Sequence, residues 1–468
     1  MRLGLDGPGG ARAEEGDSVL EISIFGAGHV GLVSGACLAE LGHRVRVLDV
    51  DEGKIARLEG GEVPFLEPGL DEVLARVRTK ATISFHSDPS EVLPAARVIF
   101  ICVNTPNSPN GHVDLSSVVE AAHTAARFAA DGALVVNRST VPVGTADYIS
   151  SILEDARRGE LTMVVNPEFL SEGAAVRDFL APDRIVIGAR READADLLVE
   201  AYETVIARRV PTDLPIDVQA GAAAGSGPVP VVVTKPQTAE LIKYAANAFL
   251  SVKISFINEI AAIAEEVGGD VTEVTRAIGL DHRIGPHFLR AGIGWGGSCF
   301  PKDIMALQGM AETRGLSTRM LRAANEINSA QRQWVARKLQ MHLKTLVGRR
   351  VGLLGLAFKP MTDDIRNAPA LEIAAELARL DVQVRAFDPA IKSLPVGVDL
   401  DLEMVDGPQS LAQGADALVL VTEWPEFASL DLAGLARSMR NPLLLDGRNF
   451  FEPESARAAG FTYVGVGR

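Results

Sequence analysis

The segment Gly26-Ala27-Gly28-His29-Val30-Gly31 directly follows the apolar run Glu21 to Phe25 and opens a helix-like stretch, and Asp49 closes the next strand-like run, Arg44 to Leu48. A G-x-G-x-x-G in that context confines the start of the chain to a βαβ unit of a doubly wound sheet. The first glycine makes the tight turn, the second lets backbone approach a pyrophosphate, and the third packs helix on strand. The helix N-terminus favours phosphate. A carboxylate at Asp49 accepts from ribose hydroxyls and repels a 2′-phosphate, so the expected cofactor is NAD rather than NADP.

From Val19 onward, short β-branched runs alternate with longer amphipathic stretches, the pattern of a parallel sheet wrapped by helices. Further strands are expected at Val98 to Val103, Ala133 to Asn137, Thr162 to Val165 and Arg184 to Ile187. Turn chemistry follows three of them, at Asn104-Thr105-Pro106, Ser139-Thr140-Val141-Pro142 and Asn166-Pro167-Glu168; ligands of such sheets collect at that edge. Residues 211–230 collapse to Gly, Ala, Pro and Asp and read as a flexible insertion. An apolar run from Thr238 to Val267, stopped by Gly268-Gly269, predicts one long helix, apolar around most of its circumference and therefore buried. A second α/β unit starts at Arg350, with strands at Val351 to Leu354, Val382 to Phe387, Ala417 to Val421 and Leu443 to Leu445. The fold class is therefore α/β, with two Rossmann-like doubly wound domains joined by a long central helix. The expected division is a disordered leader at 1–18, an NAD-binding domain at 19–234, a central helical domain at 235–330 and a second Rossmann-like domain at 331–468.

With 46 Lys plus Arg against 61 Asp plus Glu, the net charge of −15 opposes binding to nucleic acid or an acidic membrane. The three cysteines, Cys37, Cys102 and Cys299, form neither a disulfide framework nor a zinc ribbon. No apolar run of membrane-spanning length and no signal-peptide core is read, so the expectation is a soluble, cytoplasmic protein. The eight histidines show no ligand cluster, and no metal is expected.

Cys299 lies in Gly292-Ile293-Gly294-Trp295-Gly296-Gly297-Ser298-Cys299-Phe300-Pro301-Lys302-Asp303, ahead of a helix that Pro301 can start. Helix-terminal amides and Lys302 would stabilise a thiolate there, so Cys299 reads as a nucleophile, whereas Cys37 and Cys102 read as small buried hydrophobes. Asp303 is a proton-transfer candidate or a first-turn carboxylate. Lys243 and Asn247 are four apart on the long helix; desolvation would lower the lysine pKa toward catalytic use, unless it is a surface lysine at the helix start. Glu168 is either functional or a helix starter. The second unit lacks the three-glycine spacing and is not expected to bind NAD. Its Lys359, Arg366 and Arg448 could hold a diphosphate or be solvated.

Together, GAGHVG, STVPVGT, NPEFLSEG, APDRIVIG, AELIKYAANAF, RIGPHFL, GWGGSCFPKD, GLAFKPMTDDIR and DGRN resemble the UDP-glucose/GDP-mannose dehydrogenase family from about Val19 to the C-terminus. PDRIVIG and DHRIG look like its UDP-glucose branch. The resemblance implies a four-electron, NAD-dependent oxidation of UDP-glucose C6 to UDP-glucuronate through a thiohemiacetal and a thioester. It implies Cys299 as nucleophile, Lys243 and Asn247 holding the C6 oxygen, Asp303 assisting proton transfer, Glu168 acting in hydrolysis and Thr140 positioning water. It also implies Glu168, Phe169, Leu170, Lys243, Asn247, Arg283, Trp295, Gly296, Phe358, Lys359 and Arg448 at the UDP-sugar. Gly26, Gly28, His29, Val30, Gly31, Asp49, Lys54, Thr105, Thr140, Glu172, Lys302 and Arg366 would lie at NAD. Arg283 would reach across a homodimer built on the long helix. The family usually has Tyr where His29 stands, Tyr or Phe where Trp295 stands, and a shorter insertion. Rival readings are the same chemistry on GDP-mannose or another nucleotide sugar, a β-hydroxyacid dehydrogenase needing no thiol, and a catalytically silent sensor.

Overall fold

The computed structural model describes residues 19–108, 111–156, 161–211, 213–214, 227–395 and 397–468. The leader at 1–18 and most of the insertion at 211–230 lie outside the described residues.

The first sheet contains β1 (Glu21–Phe25), β2 (Arg44–Leu48), β3 (Ile83–His86), β4 (Val98–Ile101), β5 (Leu134–Asn137), β6 (Thr162–Val165), β7 (Ile185–Gly188) and β8 (Val231–Thr234), ordered β3-β2-β1-β4-β5-β6-β7-β8. Strands β3 to β6 in that order are parallel, and the central ones are buried on both faces, which accounts for their unbroken apolar runs. The sheet departs from the expected all-parallel one at β7, which meets β6 antiparallel through the single pair Val165↔Gly188 and then pairs parallel with β8. The chain between β6 and β7 makes the six-residue helix Ala175–Leu180.

The second sheet contains β9 (Arg350–Leu354), β10 (Gln383–Phe387), β11 (Glu403–Met404), β12 (Ala417–Leu420), β13 (Leu443–Asp446) and β14 (Thr462–Gly465), ordered β11-β10-β9-β12-β13-β14 and parallel throughout. It repeats the order of the first six strands of the other sheet.

Between the sheets runs helix Pro236–Val267, opened by proline and closed by left-handed Gly268. At 32 residues it is about 48 Å long. It packs on helices Phe300–Glu312 and Arg319–Leu343. Two expectations change here. By length and composition this helix could cross a membrane, although no such run was anticipated. It is also not buried all round: Leu241, Phe249, Phe256, Ile263 and Val267 are exposed. Its buried face is partly polar: Glu240, Lys243, Asn247, Ser251, Ser255 and Asn258, spaced three or four apart, are buried alongside Ala239, Tyr244, Ala248, Ile257, Ala261 and Ala264. Several of those polar groups find partners outside the helix, as Ser255 Oγ does at the Ala324 carbonyl (2.8 Å), while Ser251 Oγ donates to the Ala248 carbonyl of its own helix.

Candidate active site

At the carboxyl end of β1, Gly26 takes φ +96°, and its N–H donates to the Leu48 carbonyl at 2.7 Å. A Cβ on Gly31 would lie 1.9 Å from the Gly26 carbonyl oxygen, so only glycine lets helix His29–Glu40 start against that turn. Space beside Gly28 is open, and as N-cap it has no capping side chain, which leaves helix amides for a ligand. Val30 packs down onto the apolar core. Asp49, half-buried, accepts from the Ala27 N–H (2.8 Å) and from Lys54 Nζ (2.9 Å). Burial opposes its charge, but the Lys54 ammonium and the amides outweigh it and hold the carboxyl below its ordinary value. An open glycine cradle beside a charged carboxylate fits a dinucleotide. His29 reaches Glu67 at 3.0 Å and lies 4.7 Å from the Phe65 ring. Glu67 is buried and also accepts from the Gly173 and Ala175 amides (2.7 and 2.8 Å), tying the glycine loop to the segment after Glu172.

Cys299 forms the N-cap of helix Phe300–Glu312, at the place the sequence indicated. Its electrostatics differ from expectation. Burial pushes the thiol above its ordinary pKa, Lys243 pulls it down less strongly, and Glu168 and Asp303 oppose the thiolate. Lys243 is also corrected. Desolvation does disfavour its charge, but Glu168 Oε1 at 2.8 Å, helped by Cys299 and Asp303, raises the lysine above its normal range. It is a buried ammonium donor rather than a base. Burial likewise disfavours charge on Glu168, and Lys243, with a smaller effect from Arg138, overcomes it, so that the carboxyl is held down. The Leu170 N–H donates to the other oxygen of Glu168 at 2.6 Å. Asn247 Nδ2 donates to Asp303 Oδ2 (2.6 Å), and Lys302 Nζ to Asp303 Oδ1 (2.8 Å), which orients that buried carboxylate. Thr105 Oγ1 donates to the Thr140 carbonyl at 2.8 Å, joining the loops after β4 and β5.

The other wall comes from the loop after β9. Phe358 lies against Gly297, Gly296 against the Asn367 carbonyl, and Lys359 Nζ donates to Ser171 Oγ at 2.7 Å. Arg366 grips Asp364 through two nitrogens and reaches Glu172 at 3.5 Å. Glu172 accepts from Ser298 Oγ at 3.0 Å, and Ser298 Oγ lies 3.6 Å from Cys299 Sγ. Arg448 donates to the Gly294 and Val421 carbonyls (3.0 and 2.7 Å). Phe169 is covered by the Arg184 guanidinium, 3.8 Å from its centroid.

Two residues stand apart from this gathering. The Trp295 ring was expected to line the sugar site, but it is 7 % exposed, donates to Ser255 Oγ at 3.1 Å and meets Phe300 edge-on, so it is packed into the helical layer. Arg283 is paired with Asp281, its side chain 77 % exposed. Sequence reasoning missed Arg138, Glu67, Ser298 and Asp364. A charged residue ending an apolar strand, as Arg138 does after β5, was the available signal.

Family models for the UDP-glucose/GDP-mannose dehydrogenase family match the NAD binding domain at residues 20–206, the central domain at 237–330 and the UDP binding domain at 352–453. A UDP-glucose 6-dehydrogenase of Bacillus subtilis is 40% identical over 451 residues, covering 96% of this chain and 93% of that protein. One from Pseudomonas aeruginosa is 40% identical over 461 residues, covering 96% and 98%. The solved structure of a UDP-glucose dehydrogenase from Pyrobaculum islandicum superposes with a TM-score of 0.86 at 36% identity, over 97% of this chain and 99% of that one. With a glycine cradle in one Rossmann domain, a cysteine at a helix head between the two, and kinship along nearly the whole chain, the protein is an NAD-dependent dehydrogenase and belongs to the UDP-glucose/GDP-mannose dehydrogenase family.

Proposed function

We propose that the chain oxidises C6 of UDP-glucose twice to give UDP-glucuronate, with the sugar carbon held on Cys299 between the steps. The observation that carries this reading is the buried array Glu168–Lys243 and Asn247–Asp303 beside a cysteine at a helix head. The Gly26–Gly31 loop, Asp49, Lys54, Thr105 and Thr140, with Glu172, Lys302 and Arg366 on the facing side, would hold NAD, which would supply the hydride acceptor for each of the two oxidations.

Lys243 as an ammonium and Asn247 as an amide donor hold the C6 oxygen and its developing negative charge. Asp303 takes the alcohol proton through water. The Cys299 S–H then adds across the aldehyde: sulfur bonds to carbon and the proton ends on the carbonyl oxygen, so a protonated resting thiol suffices. Loss of hydride from that carbon, with the hydroxyl proton passing through water to Asp303 once Asp303 has released its first proton to solvent, leaves a thioester. Glu168, kept charged by its neighbours, takes a proton from the water that cleaves it, and sulfur regains a proton as the acid departs. Thr140 positions that water. Phe169, Leu170, Gly296, Phe358, Lys359 and Arg448 shape the UDP-sugar pocket.

A homodimer supports this site. The exposed apolar stripe Leu241, Phe249, Phe256, Ile263 and Val267 is a face for a second copy, and the exposed Arg283, paired with Asp281 rather than with the residues around its own Cys299, would serve that copy's pocket. All three cysteines are unpaired, which favours a reducing cytoplasmic setting.

NADH released per UDP-glucose at completion tests the reading. Two are expected, with Cys299→Ser losing turnover to the acid by at least about a thousandfold. One NADH per sugar would indicate simple alcohol oxidation, and two with GDP-mannose but none with UDP-glucose would move the mechanism to another sugar.

A further inference from the structure

Arg138 follows β5 and is only 5 % exposed. Its partners are neutral: Nε donates to Ser34 Oγ (3.1 Å) and Nη1 to Asn166 Oδ1 (2.6 Å) and the Tyr202 hydroxyl (3.2 Å), while the guanidinium covers the Phe179 ring at 5.5 Å. Among the described residues no carboxylate pairs with it. A guanidinium stays charged even when buried, and a buried charge without a counter-ion is costly.

The charge faces the site from behind. Arg138 and Glu168 line one cavity of about 40 Å³ with Asn166, Phe169, Arg184 and Tyr202, and Arg138 favours the ionised form of Glu168. Asn166, which Arg138 grips, also donates to the Val186 carbonyl at 2.9 Å and stands two residues before Glu168. Charges therefore alternate through the site: Arg138 positive, Glu168 negative, Lys243 positive, Asp303 negative, Lys302 positive. With the thiol protonated the array carries one surplus cation, which an anion formed at Cys299 or on the C6 oxygen would neutralise.

We propose that Arg138 is a positioning residue for the hydrolytic half of the reaction: its buried guanidinium stands behind Glu168 across the cavity they share, adding its charge to that of Lys243, and its bond to Asn166 fixes the turn that carries Glu168. This rests on the role given to Glu168 above. The groups facing Glu168 are Lys243 from the long helix, Arg138 from the end of β5, the Leu170 amide, Arg184 and Asp178 around the cavity, and the thiols Cys299 and Cys102. Of these, Arg138 is the buried fixed charge without an acidic partner.

The test compares Arg138→Gln, which removes charge but keeps hydrogen bonding, with Arg138→Lys, which keeps charge. Glu168 protonation is followed in the full-length protein by the infrared carboxyl band that Glu168→Gln abolishes. The band should appear about one pH unit higher in Arg138→Gln than in the wild type, with Arg138→Lys restoring the wild-type midpoint, and the acid limb of turnover should move by the same amount. An unmoved infrared midpoint, or equal shifts in both variants, overturns the proposal. A shifted band with an unmoved acid limb overturns the role in hydrolysis and counts against Glu168 as the base, while leaving the charge coupling in place. Absence of any turnover on UDP-glucose would strike the substrate reading alone, because the infrared comparison needs no substrate.

Discussion

The two Rossmann domains make the same turn and use it differently. In the first, Gly26 (φ +96°) follows β1, and the Ala27 N–H is held by Asp49 at the end of β2. In the second, Gly355 (φ +94°) follows β9, and the Leu356 and Ala357 N–H groups are held by Asp388 at the end of β10 (2.7 and 3.0 Å). Asp49 is half-buried and paired with Lys54, and in the proposed function it would meet a ribose. Asp388 is 1 % exposed and plugged by the Trp424 indole at 3.1 Å. The first helix begins at His29, against the turn, whereas the corresponding helix of the second domain begins only at Pro369. The intervening loop delivers Phe358, Lys359, Asp364 and Arg366 to the cleft. In the proposed function, one carboxylate position would thus serve a ligand in one domain, while its counterpart serves the fold in the other.

Substitutions at the paired positions sharpen that contrast. Asp388→Ala strands five donors, the Leu356, Ala357, Ala390 and Ile391 N–H groups and the Trp424 indole, and should cost about 3 kcal/mol or more in chemical denaturation, with NAD affinity by titration calorimetry unchanged. Asp49→Ala should shift the balance: NAD affinity falls about tenfold or more, from loss of a charged hydrogen bond, with a smaller stability loss of about 1–2 kcal/mol from the stranded Ala27 N–H. The smallest effect belongs to Trp424→Phe, which removes one donor to Asp388 and should cost about 1 kcal/mol, again without touching NAD. A drop in NAD affinity in either second-domain variant would break the comparison.

The glycine turn, Asp49 and the long helix were legible because each is written in neighbouring residues. Asp388 was not read as the counterpart of Asp49, since it lies 33 positions beyond Gly355 with no triple glycine to announce it. The reversal at β7 hides in a single residue pair. The positions of Lys243 and Cys299 on their helices followed from local pattern, but their proton affinities did not. Those depend on Glu168, 75 residues from Lys243 in sequence, and on burial that only packing creates. Arg138 escaped for the same reason: its partners Ser34, Asn166 and Tyr202 come from three distant segments.

The buried polar face of helix Pro236–Val267 turns that helix into a ruler. Glu240 accepts from the Gly144 and Ala146 amides, Lys243 and Asn247 meet the carboxylates beside Cys299, Ser255 takes the Trp295 indole, and Asn258 accepts from the Gly292 amide. One inserted residue between Asn247 and Ser255 would rotate everything beyond it by about 100°, unhooking the approach to Cys299 from its own helix while Lys243 stayed in place. The count of residues from Glu240 to Asn258 is therefore as much a part of the site as their identities.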